Sequence, residues 1–336
     1  MELPLRARAL ETGDTVAVSA LSSGLDPDEV ELFERGIRAV EGLGFTVRVA
    51  QSVEPGRRRW WMSAPPAEIA GELNGLFRDP EVRAILALTG GRAALSYLDL
   101  IDFDAVRADP KPLLGFSDIT ALHLALYART GLVTVHSDLV THGFGYWSEL
   151  AEDRRRELDD VYRRVLTGDP DPVRLPQLGD WQTWRPGRAT GRLVGGLLNR
   201  LIRLQAGPHA LSTERFDGAL LFWEEVGTSD SFIWNDLHVL RQAGVLDRIA
   251  GMIVGPTGTV EMLDEGPGTL REIVLDVLGD RDIPVLGNVD IGHEPPNVPL
   301  PIGVLAEMDA DAASLTLLEP AVTRSTGVAT PSRVAV

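Results

Sequence analysis

The chain has 336 residues, of which 44% are apolar, and a formal net charge of −17. It is long enough for two medium-sized domains, and its charge argues against nucleic acid or an anionic membrane as a partner. It contains no cysteine, which excludes disulfides, thiolate metal sites and cysteine nucleophiles. The absence of any apolar run of membrane-spanning length, and of a signal-peptide core in the first residues, predicts a cytoplasmic protein.

The first half of the chain alternates between strand and helix signals. Short apolar and β-branched runs predict strands at 14–20, 45–49, 82–88 and 111–116, and helical periodicity predicts helices at 27–42 and 67–77. This alternation is typical of an α/β domain with a mainly parallel sheet, which we assign to residues 1–165. Such sheets bind ligands at the carboxyl ends of their strands, where Thr89-Gly-Gly-Arg and Gly115-Phe-Ser-Asp lie.

The second half resumes the alternation after a break. A charged helix at 150–166 precedes a stretch with Trp181 and Trp184, and we interpret residues 166–190 as a connecting loop. A C-terminal α/β domain is predicted over 191–322. Its predicted elements are helices at 195–205, 232–244 and 270–278 and strands at 218–223, 249–254 and 284–289. Residues 323–336 are small and polar and are predicted to form a flexible tail.

Ser117 lies where the predicted strand 111–116 turns directly into a helix. A serine at such a turn has its hydroxyl at the end of a strand and the amides of a helix N-terminus beside it, as a nucleophile with an oxyanion site requires. The alternative is a structural helix cap, because serine is a favoured N-cap residue and Asp118 suits the helix dipole. Ile119 stands where the G-x-S-x-G nucleophile motif has its last glycine.

Two later segments carry candidate partners for a nucleophilic serine. Glu224 and Glu225 follow a predicted strand, where a carboxylate can hold an imidazole in one tautomer; the alternative is that both form the solvated end of the strand. His293 follows another strand, in a proline-rich loop, and is placed to act as a general base; the alternative is a loop histidine without a task. His123, on the same helix as Ser117, is expected to point away from the turn.

Neither a metal nor a nucleotide cofactor is predicted. His136, Asp138 and His142 lie near one another in the sequence, but their spacing matches neither a helical H-E-x-x-H pair nor a dense cluster of ligands. The chain also lacks the G-x-G-x-x-G and G-x-x-x-x-G-K-[ST] fingerprints, which disfavours a nucleotide-dependent oxidoreductase. Gly90 and Gly91 offer a backbone amide that can face an anion.

Several segments, taken in order, resemble the LD-carboxypeptidase family, which includes the microcin C immunity peptidases. The similarity extends over roughly residues 10–320, and the segments around Ser117 and Gly292-His293 are the most specific. The segments are Gly13-Asp-Thr-Val-Ala-Val, Asp79-Pro-Glu-Val-Arg-Ala-Ile with Gly90-Gly91, Gly115-Phe-Ser-Asp-Ile-Thr-Ala-Leu-His, Thr130-Gly-Leu-Val-Thr-Val-His, Gly195-Gly196, Leu221-Phe-Trp-Glu-Glu, and Asn288-Val-Asp-Ile-Gly-His with Pro301-Ile-Gly-Val.

The resemblance implies a metal-independent serine hydrolase with a Ser-Glu-His triad, an active site between the two domains, and a homodimer. By position, Ser117 corresponds to the nucleophile and His293 to the base. The resemblance also selects Glu224, rather than Glu225, as the carboxylate that orients the histidine. The spacing alone leaves that choice open.

The resemblance further implies an oxyanion hole formed by the backbone amides of Asp118 and of either Gly90 or Gly91. The chain departs from the family pattern at three places near the expected substrate. Gly195-Gly-Leu-Leu replaces Gly-Gly-Asn-Leu, Arg92-Ala-Ala replaces a segment with a glycine, and Glu294 replaces a common threonine.

Two substrate classes are consistent with the family. One is a muropeptide that loses its terminal D-residue at an L,D bond, and the other is a microcin-like peptidyl or aminoacyl adenylate. Trp181 and Trp184 are candidates for stacking on a nucleobase, with ordinary packing of the linker as the alternative. A catalytically inactive protein that binds a small ligand on the same fold is the competing functional hypothesis.

Overall fold

The computed structural model describes residues 4–258 and 269–324. These residues form two sheets with helices packed on them, which confirms the predicted α/β class with a largely parallel N-terminal sheet. Residues 325–336 of the predicted tail lie outside the described residues. Within the described part of the chain, no helix combines the length and apolarity that crossing a membrane requires.

The first sheet has six strands in the order β2-β1-β3-β4-β5-β12. The first five strands are parallel, and β12 pairs antiparallel with β5. The strands are β1 (Thr15–Ser19), β2 (Thr46–Val49), β3 (Val82–Ala87), β4 (Leu113–Gly115), β5 (Val135–His136) and β12 (Leu300–Pro301). The central strand β3 is almost wholly buried, as expected for a near-continuous apolar run in a sheet that is covered on both faces.

Five helices accompany the first sheet. They are α1 (Val30–Gly42), α2 (Pro66–Arg78), α3 (Phe103–Ala108), α4 (Thr120–Thr130) and α5 (Glu152–Thr167). In the middle of the fold, α4 is buried along all but its last turn, because it lies between the two sheets. The side-chain hydroxyl of Thr120 accepts a hydrogen bond of 3.0 Å from the backbone amide of Leu197 in the second half of the chain.

The second sheet has eight strands in the order β6-β14-β13-β8-β9-β10-β11-β7, and its four central neighbours β8 to β11 are parallel. The strands are β6 (Val173–Arg174), β7 (Gln182–Arg185), β8 (Arg188–Leu197), β9 (Leu220–Val226), β10 (Gly251–Gly258), β11 (Val285–Gly287), β13 (Leu305–Asp309) and β14 (Ser314–Leu317). The helices of this half are α6 (Leu198–Leu204), α7 (Asp230–Gln242) and α8 (Leu270–Leu278). A capping box of Thr269 and Glu272 starts α8.

Two expectations about the second half are wrong in detail. The stretch 166–190, expected as a connecting loop, contributes β6 and β7, which pair with β14 and β11 at the two edges of the second sheet. The helix expected from residue 195 begins at Leu198, because Gly195 and Gly196 belong to β8 and pair in register with β9. In both places, pairing with strands that are distant in sequence decides the local structure.

The halves of the chain also interleave. The strand β12 lies in the first sheet although it belongs to the predicted C-terminal domain. Thr323, at the start of the predicted tail, exchanges backbone hydrogen bonds with Ala7 and Ala9 near the N-terminus. The hydrogen bond between Leu197, at the end of β8, and Thr120, at the start of α4, marks the junction of the two halves that contains the candidate site.

Candidate active site

Ser117 occupies a strained backbone position between β4 and α4. Its φ angle is +63°, a left-handed conformation that is uncommon for residues other than glycine, and such positions cost about 1–3 kcal/mol and persist only when the surroundings enforce them. Phe116 before it is extended, and a single 3-10 turn (Ser117–Ile119) leads into α4. The Ser117 side chain is nearly buried, and the residue lines two cavities.

His293 bridges Ser117 and Glu224. Its Nε2 lies 3.0 Å from Ser117 Oγ, and its Nδ1 lies 2.7 Å from Glu224 Oε2. A hydrogen on Nδ1, donated to the carboxylate, leaves the Nε2 lone pair free to accept the hydrogen of the serine hydroxyl. The rings of Phe116 and His293 pack edge to face, with 4.9 Å between their centroids. This packing adds a third restraint on the imidazole.

Glu224 lies inside β9 rather than after it, and it is fully buried. The interpretation of Glu224 and Glu225 as a solvated strand end is therefore wrong. A Cβ atom at Gly292 would lie 2.6 Å from Glu224 Oε2, and Gly292 has a φ of +111°. The histidine loop can therefore approach the carboxylate this closely only with glycine at position 292.

Glu225 is also buried, but it serves a different part of the structure. Its carboxylate accepts hydrogen bonds from the backbone and side-chain amides of Asn199, at 2.9 and 2.7 Å, and from the backbone amide of Val226 at 2.9 Å. Successive residues of a strand point to opposite faces, which separates Glu225 from His293. Burial raises the pKa of Glu225 to about 7, against the effect of these hydrogen bonds, which lower it.

Unfolding stability is expected to depend on the protonation of Glu225. Because the folded pKa of about 7 exceeds the ordinary value of 4.5, the stabilisation is complete below pH 4.5 and is lost as the pH rises to 7, by at most about 1.4 kcal/mol per pH unit. We expect the free energy of unfolding of Glu225→Gln, measured by urea titration, to fall less steeply over this range than that of the wild type. The exposed Glu157→Gln serves as control, and a Glu225→Gln curve parallel to the wild type would contradict this assignment.

Asp118 ties the nucleophile turn to the rest of the site through its buried side chain. Its Oδ2 accepts hydrogen bonds from Ser22 Oγ (2.6 Å) and from the backbone amides of Ala93 (2.7 Å) and Ala94 (2.8 Å), and its Oδ1 accepts one from Arg200 Nε (2.5 Å). The sequence suggests two roles for Asp118, a backbone oxyanion donor and a charge that suits the helix dipole, and neither predicts these side-chain contacts. Ser22 and Arg200 were missed, because no local signal connects positions 22, 93 and 200 to the turn.

The Gly90-Gly91 segment faces the serine hydroxyl. A Cβ atom at Gly90 would lie 2.7 Å from Ser117 Oγ and 3.9 Å from the backbone nitrogen of Asp118. The Gly90 carbonyl accepts a hydrogen bond of 3.0 Å from the amide of Ser23. Because the C=O and N–H of a trans peptide point in opposite directions, the amide of Gly91 points away from Ser23.

Two cavities meet at Ser117. The larger one, about 710 Å³, is mostly apolar; its lining includes Phe116, Leu139, Tyr146 and His293. The smaller one, about 550 Å³, is more polar, and its lining includes Arg92, Leu197, Arg200, Arg203, Thr228 and Asp236. Two of the departures from the family pattern, Arg92 and Leu197, line this smaller cavity. The third, Glu294, is exposed and lines neither of the two cavities.

The structure does not bring the two predicted stacking tryptophans to the site. Trp181 is buried and donates a hydrogen bond of 2.6 Å from Nε1 to Asp290 Oδ2, and Trp184 is buried in β7 beside Gly287 of β11. Neither lines one of the two cavities at Ser117. The stacking expectation is therefore wrong, because both indoles pack within the second sheet and its flanking loop.

The three other histidines considered as candidates, His123, His136 and His142, lie in different environments. His123 is buried with its Nε2 2.8 Å from the carbonyl of Gly115, and burial lowers its pKa to about 4. His136 is buried between Phe116 and Phe222, whereas His142 is half-exposed near Glu29. Over residues 4–258 and 269–324, no three histidine, aspartate or glutamate side chains are grouped as metal ligands.

Two protein-family models match the two halves of the chain. The LD-carboxypeptidase N-terminal domain matches residues 16–137, and the LD-carboxypeptidase C-terminal domain matches residues 190–308. A putative carboxypeptidase of Streptomyces coelicolor is 34% identical, with 94% of this chain and 97% of the relative covered. A probable murein peptide carboxypeptidase of Bacillus subtilis is 30% identical, with coverages of 91% and 92%.

A third relative is the microcin C7 self-immunity protein MccF of Escherichia coli, which is 27% identical, with coverages of 94% and 96%. The solved structure of MccF in complex with glutamyl sulfamoyl guanosine superposes with a TM-score of 0.84 at 25% identity, and 95% of this chain and 100% of that chain are covered. Both domain models match in the expected order, and the relatives align over nearly their full lengths. The chain therefore belongs to the LD-carboxypeptidase family of serine peptidases.

Proposed function

We propose that this protein hydrolyses an amide bond of a small acidic substrate through a Ser117-His293-Glu224 triad. The observation that carries the proposal is the continuous hydrogen-bonded chain from the Ser117 hydroxyl through the His293 ring to the buried Glu224 carboxylate. A serine hydroxyl, an imidazole and a carboxylate, hydrogen-bonded in this order, form the catalytic triad of serine hydrolases on unrelated folds.

In the first half of the reaction, His293 Nε2 removes the proton of the Ser117 hydroxyl as Oγ attacks the carbonyl carbon. The backbone amides of Asp118 and Gly91 stabilise the resulting oxyanion; the orientation of the Gly90 carbonyl towards Ser23 favours Gly91 over Gly90 as the second donor. The carbon–nitrogen bond then breaks, and the protonated His293 donates its proton to the leaving nitrogen. Glu224 stabilises the imidazolium that forms between these two steps.

In the second half, water hydrolyses the ester between the substrate's acyl group and Ser117 Oγ. His293 Nε2 accepts a proton from the water as its oxygen attacks the acyl carbon. The bond between that carbon and Ser117 Oγ breaks, and His293 returns the proton to the serine. The acid is released, and the enzyme regains its starting protonation state.

The smaller cavity supports a substrate with a carboxylate near the scissile bond. Arg200 is already neutralised by Asp118. The Arg92 and Arg203 side chains are exposed and form no salt bridge with a described residue, although Asp236, which lines the same cavity, is attracted electrostatically by Arg203. On a chain with a net charge of −17, two guanidinium groups without a salt-bridge partner, in the cavity that reaches Ser117, favour an anionic group. A muropeptide and an acidic aminoacyl nucleotide both carry such a carboxylate.

Arg203→Gln is expected to weaken the preference for acidic substrates. A hydrogen bond to a charged group contributes about 1.5–3 kcal/mol, so kcat/KM for a free carboxylate should fall about tenfold to 100-fold, with little change for the matching carboxamide. The comparison uses peptide pairs that differ only in this group. Arg188→Gln is the control, because Arg188 begins β8, whereas Leu197 at the end of that strand lines the smaller cavity. An equal loss of kcat/KM on the acid and on the amide would contradict the assignment.

Incubation with two substrate types tests the proposal itself. One substrate is a murein tetrapeptide that ends in an L,D bond, and the other is a glutamyl sulfamoyl nucleoside, the kind of ligand bound in the MccF complex. Mass spectrometry should detect either release of the terminal D-residue or separation of glutamate from the nucleoside. The absence of hydrolysis of both substrates by the folded protein would favour the inactive ligand-binding alternative.

A further inference from the structure

A buried hydrogen-bond network joins the histidine loop, residues 292–297, to the first sheet. Its centre is Asp138, which follows β5 and is fully buried. Oδ1 of Asp138 accepts hydrogen bonds from the backbone amide (3.0 Å) and the side-chain amide (2.8 Å) of Asn297, and Oδ2 accepts one from Trp147 Nε1 (2.7 Å). We call Asp138 and Asn297 the clasp.

Asn297 in turn closes the loop on itself. Its side-chain oxygen accepts a hydrogen bond from the backbone amide of Gly292, immediately before His293. Tyr162 adds a second link: its hydroxyl donates to the Asn297 carbonyl at 3.1 Å and accepts from the Asp138 amide at 2.8 Å. One asparagine, itself fully buried, therefore fixes both ends of the loop that presents the histidine.

The clasp connects the histidine loop to the half of the chain that carries the nucleophile. Ser117 follows β4, and Asp138 follows β5, the adjacent parallel strand, in which His136 pairs with Gly115. His293 and Glu224 belong to the other half of the chain. The 3.0 Å contact between His293 and Ser117 thus joins two halves, and Asp138 supplies a buried anchor on the serine side.

We propose that Asp138 and Asn297 are positioning residues that hold His293 in hydrogen-bonding register with Ser117. The inference rests on the proposed triad and adds to it the side chains that align it. A displacement of about 1 Å at a reacting group costs on the order of 100-fold in rate. Neither residue touches the serine, so the effect acts through the loop.

The experiment measures how fast Ser117 reacts with a fluorophosphonate probe in Asp138→Asn, Asn297→Ala and the double variant. Asp138→Asn nearly preserves the shape of the side chain, so this variant still tests the proposal if Asn297→Ala fails to fold. We expect each single variant to lose about tenfold to 100-fold in labelling rate. The double variant should lose little more than the worse single, because the two residues act as one unit.

Asp290→Asn is the matched control for simple loss of stability. Asp290 Oδ2 accepts three hydrogen bonds, from the backbone amides of Leu178 and Gly179 and from Trp181 Nε1. It lies three residues before His293, but among the described residues its side chain hydrogen-bonds only to partners in the second half of the chain. When Asp290→Asn lowers the melting temperature as much as a clasp variant does, we expect its labelling rate to stay within threefold of the wild-type rate.

A second readout separates this inference from the proposed function. The hydrogen between His293 Nδ1 and Glu224 should give a low-field imidazole signal in NMR spectra of the wild type that weakens or shifts in the clasp variants. Unchanged labelling and an unchanged signal in folded clasp variants, or losses that only match Asp290→Asn, would overturn the positioning role. Failure of the wild type to label would instead overturn the proposed chemistry, while the imidazole signal still tests the clasp.

Discussion

Ser117→Ala is expected to abolish turnover, with a loss in kcat on the order of a million-fold. Losses of this size follow removal of the nucleophile in serine hydrolases, because the remaining groups can only bind and polarise the substrate. The only hydrogen bond that the Ser117 side chain makes to a described residue is the one to His293. Alanine also tolerates the left-handed position about as poorly as serine does. The melting temperature should therefore change little.

Hydrolysis is measured on whichever substrate the mass spectrometric assay identifies. Ser96→Ala is the control, because Ser96 is exposed and lines neither cavity, and among the described residues its hydroxyl hydrogen-bonds only to the nearby Ala93 carbonyl. This control should retain the wild-type rate. Turnover by Ser117→Ala within tenfold of the wild type would exclude Ser117 as the nucleophile.

Glu224→Gln is expected to lower kcat by about 10,000-fold, the scale seen when the carboxylate of a triad becomes an amide. A glutamine at this position offers an N–H to the imidazole, which favours the wrong tautomer, and it cannot stabilise the imidazolium. Glu224 contacts His293 through a single oxygen at 2.7 Å, in a fully buried position. The effect should therefore fall on kcat rather than on KM.

Glu225→Gln provides an unusually close control, since the two residues are adjacent, chemically identical and both buried. Its contacts go to Asn199 and Val226, so we expect a loss of less than about tenfold in kcat at matched stability. Equal losses in the two variants would mean that burial of charge in β9, and not the contact with His293, controls the rate.

The elements that the sequence predicts best are those with a local cause. The buried strand ending at Gly115 and the helix after Ser117 are both present, because a short apolar run followed by a turn and a helix-forming segment has few other solutions. The Ser117 side chain itself makes no capping hydrogen bond. The choice of Glu224 over Glu225 came from family resemblance. Alternation along β9 gives the physical reason for it: only one of two neighbouring side chains can face the histidine.

The elements that the sequence predicts poorly depend on distant partners. From the sequence, a helix is predicted to start at Gly195 and Gly196, but both residues pair with β9 as part of a strand. Trp181 is predicted to be available for stacking on a ligand, but its indole N–H donates a hydrogen bond to Asp290. The sequence suggests for Asp138 only the role of a possible metal ligand. Its link to Asn297 spans 159 positions, and no pattern within a single window of sequence encodes such a pair.

Covalent labelling of the wild-type protein tests the central claim most directly. The native enzyme is treated with a fluorophosphonate, digested, and mapped by tandem mass spectrometry. The triad requires one phosphonylated residue, Ser117, in the peptide that contains Gly115-Phe-Ser-Asp, and no such adduct in His293→Ala over the same period. Modification of a different serine, or a native protein that stays unmodified while a known serine hydrolase reacts in the same tube, would contradict the account.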